Sequence, residues 1–415
     1  MDNDSNLIQE QVTVKKSEER INQKHYYLGF ITGVLCLTAL FLAFKLGTKI
    51  YSFYYLNKIE HETKVRTIQS LIDKHYNGEV DKSVMNEWVY RGMVAGLEDP
   101  YSGYISADEY DEYMENTVGN YAGIGIYTSV DFDKDIIYVK EVFDNSPGKE
   151  AGLEKGDVIK TVDDIEMTAD SFSEIPDLVK GPEGTEVTLG IFRESTGESL
   201  DITVERKSVD IPTVASCVLE ENIGYMNISN FETATVKQFE EQYKELRDKN
   251  IKGIIIDLRD NPGGLLTSVV PIVDTFLAEG VITYTEDKEG KRKYENSTGE
   301  EFDLPLAVIT NGGSASASEL FAGAIKDRDA GEIVGETTFG KGVVQQIFPL
   351  LDGSAVKITT EKYYTPDGIC VHGEGVEPDY IVEYDEYEAP VLIGKNIEVD
   401  LENDKQLQKA LEVVK

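Results

Sequence analysis

The sequence predicts a multidomain α/β protein with an N-terminal transmembrane helix, a helical segment, a small β-rich module and a mixed α/β core. Three observations predict it. Residues 26–44 form an uncharged, mostly apolar run that ends at Lys45, and residues 121–207 break into short strands with turn signals between them. Beyond Asp210, strand and helix patterns alternate, which favours a mixed sheet covered by helices. A chain of 415 residues has room for about three domains and more than one core.

Taken in order, residues 1–25 are a polar, charged tail, read as cytoplasmic, and residues 26–45 are long enough to cross a bilayer as a helix. A cleaved signal would need small residues two apart. Ala39 and Ala43 instead have the bulky Leu37 and Phe41 two positions before them, so a retained anchor is the better reading. Lys15, Lys16, Arg20 and Lys24 precede the span while Lys45, Lys49 and Lys58 follow it, a slight bias that does not orient the helix by itself. Residues 46–120 read as helical. Val65, Ile68, Leu71 and Ile72 line one segment; Val84, Trp88, Met93, Val94 and Leu97 line the next, which Asp99-Pro100 ends. These stripes are packing surfaces.

The β-rich module, 121–207, opens with Gly123-Ile124-Gly125-Ile126 and closes with the alternation Leu200-Ile202-Val204. In the core, 208–388, strands are expected at 224–228, 253–258 and 304–310, and helices at 235–248, 265–277 and 319–328, the last closed by Gly331. Strand patterns at 343–351 and 354–364 are joined by Asp352-Gly353 as a hairpin. Lys341 and Gln345, four apart, share a face if that strand is regular from 341. The acidic tract near Asp385 to Glu388 suggests a boundary before a C-terminal helical tail, 389–415.

The stretch Asn311-Gly312-Gly313-Ser314-Ala315-Ser316-Ala317-Ser318-Glu319 sets several hydroxyls on a small-residue turn between a strand and a helix. Ser316 with Glu319 fits a capping box, on spacing alone the commoner role; the same geometry read functionally gives a serine at a helix N-terminus free N–H groups and a positive dipole end beside it, suited to an oxyanion. A partner base must decide. Of four histidines, His25, His61 and His75 lie outside this part, and His372 in Cys370-Val371-His372-Gly373 reads as a loop residue. Lys341, flanked by Gly340 and Gly342, is the better candidate, provided that burial or nearby positive charge lowers its affinity for a proton. Gly335 to Gly342 matches a phosphate loop until Gly342 replaces the required Ser or Thr and a strand follows, which argues against nucleotide binding. Asp257 and Arg259 are candidates for catalysis, but a structural ion pair or a turn role suits them better. Asp327 reads either as support for the site or as surface charge. A net charge of −37 disfavours nucleic acid, and Cys36, Cys217 and Cys370 give no metal spacing and no disulfide framework.

Ser-Ala-Ser-Ala-Ser-Glu at 314–319, Thr-Phe-Gly-Lys-Gly at 338–342 and Val343-Val344-Gln345-Gln346 resemble the carboxyl-terminal processing (tail-specific) proteases, peptidase family S41. The likeness extends to Asp257-Leu258-Arg259-Asp260-Asn261-Pro262-Gly263-Gly264, to Tyr363-Tyr364-Thr365-Pro366-Asp367-Gly368 and to Gly375-Val376-Glu377-Pro378-Asp379. It implies a crotonase-like α/β serine peptidase core. Ser316 would be the nucleophile, Lys341 its base and Gln345 the residue orienting the lysine, with an oxyanion hole from the Ala317 N–H and the Gly263-Gly264 turn. No cofactor or metal is implied. Ser146-Pro147 and Ala151-Gly152-Leu153-Glu154-Lys155-Gly156-Asp157 resemble the PDZ domain, which captures peptide carboxylates with backbone N–H groups. Ala122, Gly123, Ile124, Gly125 and Ile126 would form its carboxylate loop, and the partners would be protein tails. The family also implies an extracytoplasmic catalytic part on the anchor, and a helical segment that helps form a homo-oligomer.

Overall fold

The computed structural model describes residues 2–118, 120–299, 302–383, 397 and 399–415. They fall into two units, Met1–Asn86 and Glu87–Lys415. In the first, helix α1 (Asp2–His75) runs unbroken for 74 residues. Span and following segment are therefore one helix, because no proline occurs before Pro100 to interrupt the backbone ladder. Within α1, Ile31–Thr48 is long and apolar enough to cross a membrane. Helix α2 (Lys82–Ala95) is started by Asp81, whose Oδ1 accepts the N–H groups of Ser83 at 2.8 Å and Val84 at 3.2 Å.

The second unit corrects the expectation of helix throughout 46–120. Strand β1 (Gly103–Ile105) precedes helix α3 (Ala107–Val118). Tyr104 and Ile105, both buried, suit a short strand, and a free edge elsewhere in the sheet receives it.

The β-rich module follows. Strand β2 (Asn120–Gly123) leads into β3 (Ile126–Asp131) and β4 (Ile136–Val142), then helix α4 (Pro147–Ala151), β5 (Val158–Val162), β6 (Ile165–Glu166) and helix α5 (Ile175–Val179). Strands β7 (Glu186–Arg193) and β8 (Glu198–Glu205) complete a sheet of order β3-β4-β5-β7-β8, and β9 (Lys207–Asp210) pairs with β2. Alternate residues Val187, Leu189 and Ile191 point into one core with Ile124, Ile137, Val139 and Leu153. Ser146 caps α4 by accepting the Lys149 N–H at 3.2 Å, Pro147 opens the helix, and Gly152 ends it at φ 92°.

The peptidase-like part starts at β10 (Val214–Val218) and continues through β11 (Gly224–Ile228), helix α6 (Thr235–Asp248), β12 (Ile254–Asp257) and helix α7 (Leu266–Asp274). Then come β13 (Gly280–Asp287), β14 (Arg292–Ser297), β15 (Leu306–Thr310), helix α8 (Ala317–Asp327) and β16 (Glu332–Gly335). The chain ends with β17 (Val343–Pro349), β18 (Ala355–Tyr364), β19 (Tyr380–Ile381) and helix α9 (Lys405–Val413). One sheet has the order β10-β11-β12-β15-β16-β19, parallel except for the β10–β11 pair. Its strands are buried on both faces: Ile254, Ile256 and Val308 join a core with α6, α7 and α8, while Ile255, Ala307 and Ile309 join Leu407 and Leu411 of α9. In the second sheet β18 pairs with β17, β13 and β1.

Asp257 and Arg259 form the expected ion pair: Arg259 Nη2 lies 2.6 Å from Asp257 and 2.7 Å from Asp404, which also caps α9 by accepting the Leu407 N–H at 2.8 Å. Cys217 and Cys370 are free thiols, and burial pushes Cys217 up to about 11. The proposed boundary at Asp385 to Glu388 lies outside the described residues.

Candidate active site

Parallel strands β12 and β15 deliver two turns, 258–264 and 311–316, side by side at their C-terminal ends. Asn311 ties them together: its Oδ1 accepts the Asp260 N–H at 2.9 Å and its Nδ2 donates to Asp260 Oδ1 at 2.8 Å. The serines of the second turn and of the first turn of α8 then separate by environment. Ser314 Oγ donates to the Leu258 carbonyl at 2.7 Å, and Ser318 Oγ donates to the Asn261 carbonyl at 2.9 Å, both wholly buried. Ser316 instead lines a cleft of about 560 Å³ with Ala317, Gly263, Gly264, Lys341 and Gln345.

Ser316 has φ 56° and ψ −112°, a left-sided backbone that a serine adopts only under constraint, immediately before α8. Glu319 supplies that constraint. Its carboxylate accepts the Ser316 N–H at 2.7 Å, as the capping-box spacing implies, and also the Lys341 N–H at 2.8 Å, the Gly340 N–H at 2.7 Å and the Thr338 hydroxyl at 2.7 Å. One buried carboxylate thus fastens the turn carrying Ser316 to the loop carrying Lys341. Tyr363 adds a second fastening, its hydroxyl 2.8 Å from the carbonyl oxygens of both residues.

The glycines beside Lys341 follow from a close crossing. A Cβ at Gly342 would lie 2.5 Å from the His372 nitrogen, and Gly340, at φ 90°, accepts the Gly373 N–H at 2.9 Å. Lys341 itself is partly buried. Desolvation, and then the charge of Lys357, hold its ammonium below the ordinary lysine value, with Glu319 acting in the opposite direction. The regular strand expected from 341 does not form: β17 begins at Val343 and its register shifts between Val344 and Gln345. Lys341 and Gln345 still line the same cleft, and Gln345 Nε2 donates to Thr359 Oγ1 at 3.2 Å.

Gly263 sits against the turn carrying Ser316, where an added Cβ would come within 2.7 Å of the Ala315 oxygen and 2.9 Å of the Ala317 nitrogen. Its own N–H donates to Asn261 Oδ1 at 2.8 Å. Asp327 lies elsewhere: its Oδ2 accepts the Asp367 N–H at 2.9 Å and steadies the turn at 365–368. The Ala122 to Ile126 loop runs from the end of β2 to the start of β3, and the Ile124 carbonyl accepts the Gly148 N–H at 2.7 Å. Sequence reasoning missed Glu319 and Tyr363 as organisers of the site. For Glu319 the signal was the capping box; nothing in the local sequence around Tyr363 points to Ser316.

Comparison with known proteins places the chain among carboxy-terminal processing proteases. Peptidase family S41 matches residues 222–382, the PDZ domain matches 122–204, and the activating protease CtpB N-terminal domain matches 50–109. Carboxy-terminal processing protease CtpB of Bacillus subtilis is 32% identical over 348 residues, covering 82% of this chain and 72% of that protein. The carboxy-terminal-processing protease of Bartonella bacilliformis is 35% identical over 310 residues, 73% and 70% of the two chains. Among solved structures, a photosystem II D1 C-terminal processing protease aligns at 26% identity and a TM-score of 0.46, covering 77% of this chain and 86% of that one.

Proposed function

We propose, since this chain belongs to the carboxy-terminal processing proteases of peptidase family S41, that it is a serine endopeptidase working through a Ser316–Lys341 dyad. The observation that carries the reading is the sorting of the three serines, because only Ser316 faces the cleft that also holds Lys341 and Gln345. Neutral Lys341 takes the Ser316 proton as Oγ attacks the substrate carbonyl. The Ala317 N–H and the Gly263-Gly264 turn, through Gly264, meet the charge on the tetrahedral oxygen. As the C–N bond breaks, the leaving amine takes the proton from Lys341; water, activated by the same lysine, then releases the acyl group and restores Ser316. Gln345 orients the lysine. The PDZ domain delivers substrates by their C-terminal carboxylates at Ala122 to Ile126, and Ile31–Thr48 anchors the enzyme in the membrane with the catalytic part outside the cytoplasm.

The test is cleavage of a loosely folded protein with a free apolar C-terminus by the full chain in detergent, beside Ser316→Ala and Lys341→Ala. Cleavage by the parent and by neither folded variant supports the dyad; equal cleavage by all three refutes it. An inactive parent that still binds the free C-terminus, and loses binding when that terminus is amidated, would make the chain a tail-binding adaptor instead.

A further inference from the structure

The turn at 99–102, which the sequence marks only as the end of a helix, reaches Lys341. The Tyr101 ring lies beneath the Lys341 ammonium, 5.2 Å from Nζ to the ring centroid, inside the range of a cation–π contact. The ring is held in place. Asp99 Oδ1 accepts the Tyr101 N–H at 3.0 Å, and its Oδ2 accepts the Ser102 hydroxyl at 2.5 Å. Ser102 Oγ accepts the Thr359 N–H at 3.0 Å, and Thr359 Oγ1 is the acceptor for Gln345 Nε2. One turn therefore grips both Lys341 and the strand bearing Gln345, and β1, paired with β18 from Gly103↔Lys357 to Ile105↔Ala355, fixes it to the sheet.

The charged and titratable groups around Lys341 are Lys357 and Tyr363 of β18, Glu319 of α8, and His372, whose ring stands edge-on to Tyr101 at 6.1 Å. Glu319 has both oxygens engaged by four other donors. We propose that Tyr101 is a positioning residue for the catalytic lysine, its ring face receiving the ammonium that forms when Lys341 takes the Ser316 proton. This suits a base that must also return the proton. A carboxylate partner would pin the lysine in its charged form, whereas a ring face steadies the cation through a weaker quadrupole attraction.

The inference rests on the proposed dyad and has a signature that simple packing lacks. Without the ring face, the charge on Lys341 is less favoured, so the acid limb of the pH–rate profile moves to lower pH while the plateau rate falls. A merely loosened, rehydrated lysine would move that limb to higher pH, toward the ordinary lysine value.

The experiment measures the rate of Ser316 labelling by a biotinylated fluorophosphonate on the full chain from about pH 5 to 10, the span that brackets a lowered lysine. Tyr101→Phe keeps the ring and is expected to match the parent closely. Tyr101→Leu is expected to lower the plateau about 2- to 30-fold and to move the acid limb down by about 0.4 to 1.5 pH units. Replacement of Tyr101 by 4-cyanophenylalanine, which keeps the shape but weakens the ring face, should move both in the same direction, and serves if the leucine variant does not fold. A limb that stays fixed or moves up in the non-ring or weakened-ring variant overturns the proposal. Loss of the dyad reading would look different: Lys341→Ala would then be labelled as fast as the parent.

Discussion

Glu319→Gln tests whether one buried carboxylate assembles the site. Glu319 is fully buried and accepts four hydrogen bonds, two on each oxygen: Ser316 and Lys341 N–H on Oε2, Gly340 N–H and the Thr338 hydroxyl on Oε1. Glutamine keeps the shape and one acceptor oxygen, but its amide group turns a donor toward the other pair. Two buried donors lose their acceptor at about 1–3 kcal/mol each, or about 2–6 kcal/mol in all. Against a typical stability of about 5–15 kcal/mol, the chain should still fold, with the turn of Ser316 freed from the loop of Lys341. Urea denaturation followed by circular dichroism should show a clearly lower midpoint. In water, fluorophosphonate labelling of Ser316 should fall at least about tenfold, the loss expected when about 1.4 kcal/mol of positioning disappears from the transition state. A variant with the parent's midpoint and the parent's labelling rate would refute the reasoning.

Three further outcomes are expected. In the proposed mechanism Lys341 acts when neutral, and burial and then Lys357 hold it below the ordinary lysine value, so activity should rise with pH through its titration; Lys357→Gln removes the like charge, and the rising limb of labelling against pH should move to higher pH. Gly263→Ala would push a methyl within 2.8 Å of Ser316 Cβ at a residue with φ 106°, displacing the turn proposed to hold the oxyanion; peptide cleavage should fall by about 100-fold or more, and near-parental kinetics would disprove the proposed placement. Arg259→Met strips the shared cation from Asp257 and Asp404, costing about 3–5 kcal/mol in urea titrations and exposing α9 to limited proteolysis; an unchanged midpoint would show that the two acids do not depend on it.

Much of the fold was legible in the sequence because local signals there agree with the tertiary result. Strand 224–228 and helix 235–248 were expected where β11 and α6 occur, since buried parallel strands are continuous apolar runs and α6 keeps its apolar residues at helical spacing. Ser146-Pro147 and Gly152, which entered the sequence reading only through the PDZ resemblance, prove to be the local caps of α4. The division expected between the apolar run 26–45 and the following segment does not occur: no residue there stops a helix, and α1 continues through it. β1 was hidden as well, because three residues carry no periodicity and the strand exists only through pairing with β18.

At the site, residue types and spacing determined which side chains to compare. The turn at 314–319 supplied three serines and a capping glutamate, and the glycines around Lys341 marked a place where the backbone is approached closely. Spacing alone could not rank Ser314, Ser316 and Ser318, since each sits on the same small-residue stretch; it was the family resemblance that put the nucleophile on Ser316. Tertiary structure decides among them: the carbonyls of Leu258 and Asn261, 56 and 57 positions away in the chain, take two hydroxyls and leave the third on the cleft. The same holds for Tyr101 beneath Lys341 and for Tyr363 between the two halves of the site. Local sequence determines backbone conformation within a few residues, whereas hydrogen-bond partners and the dielectric around a lysine depend on segments that only the folded chain brings together.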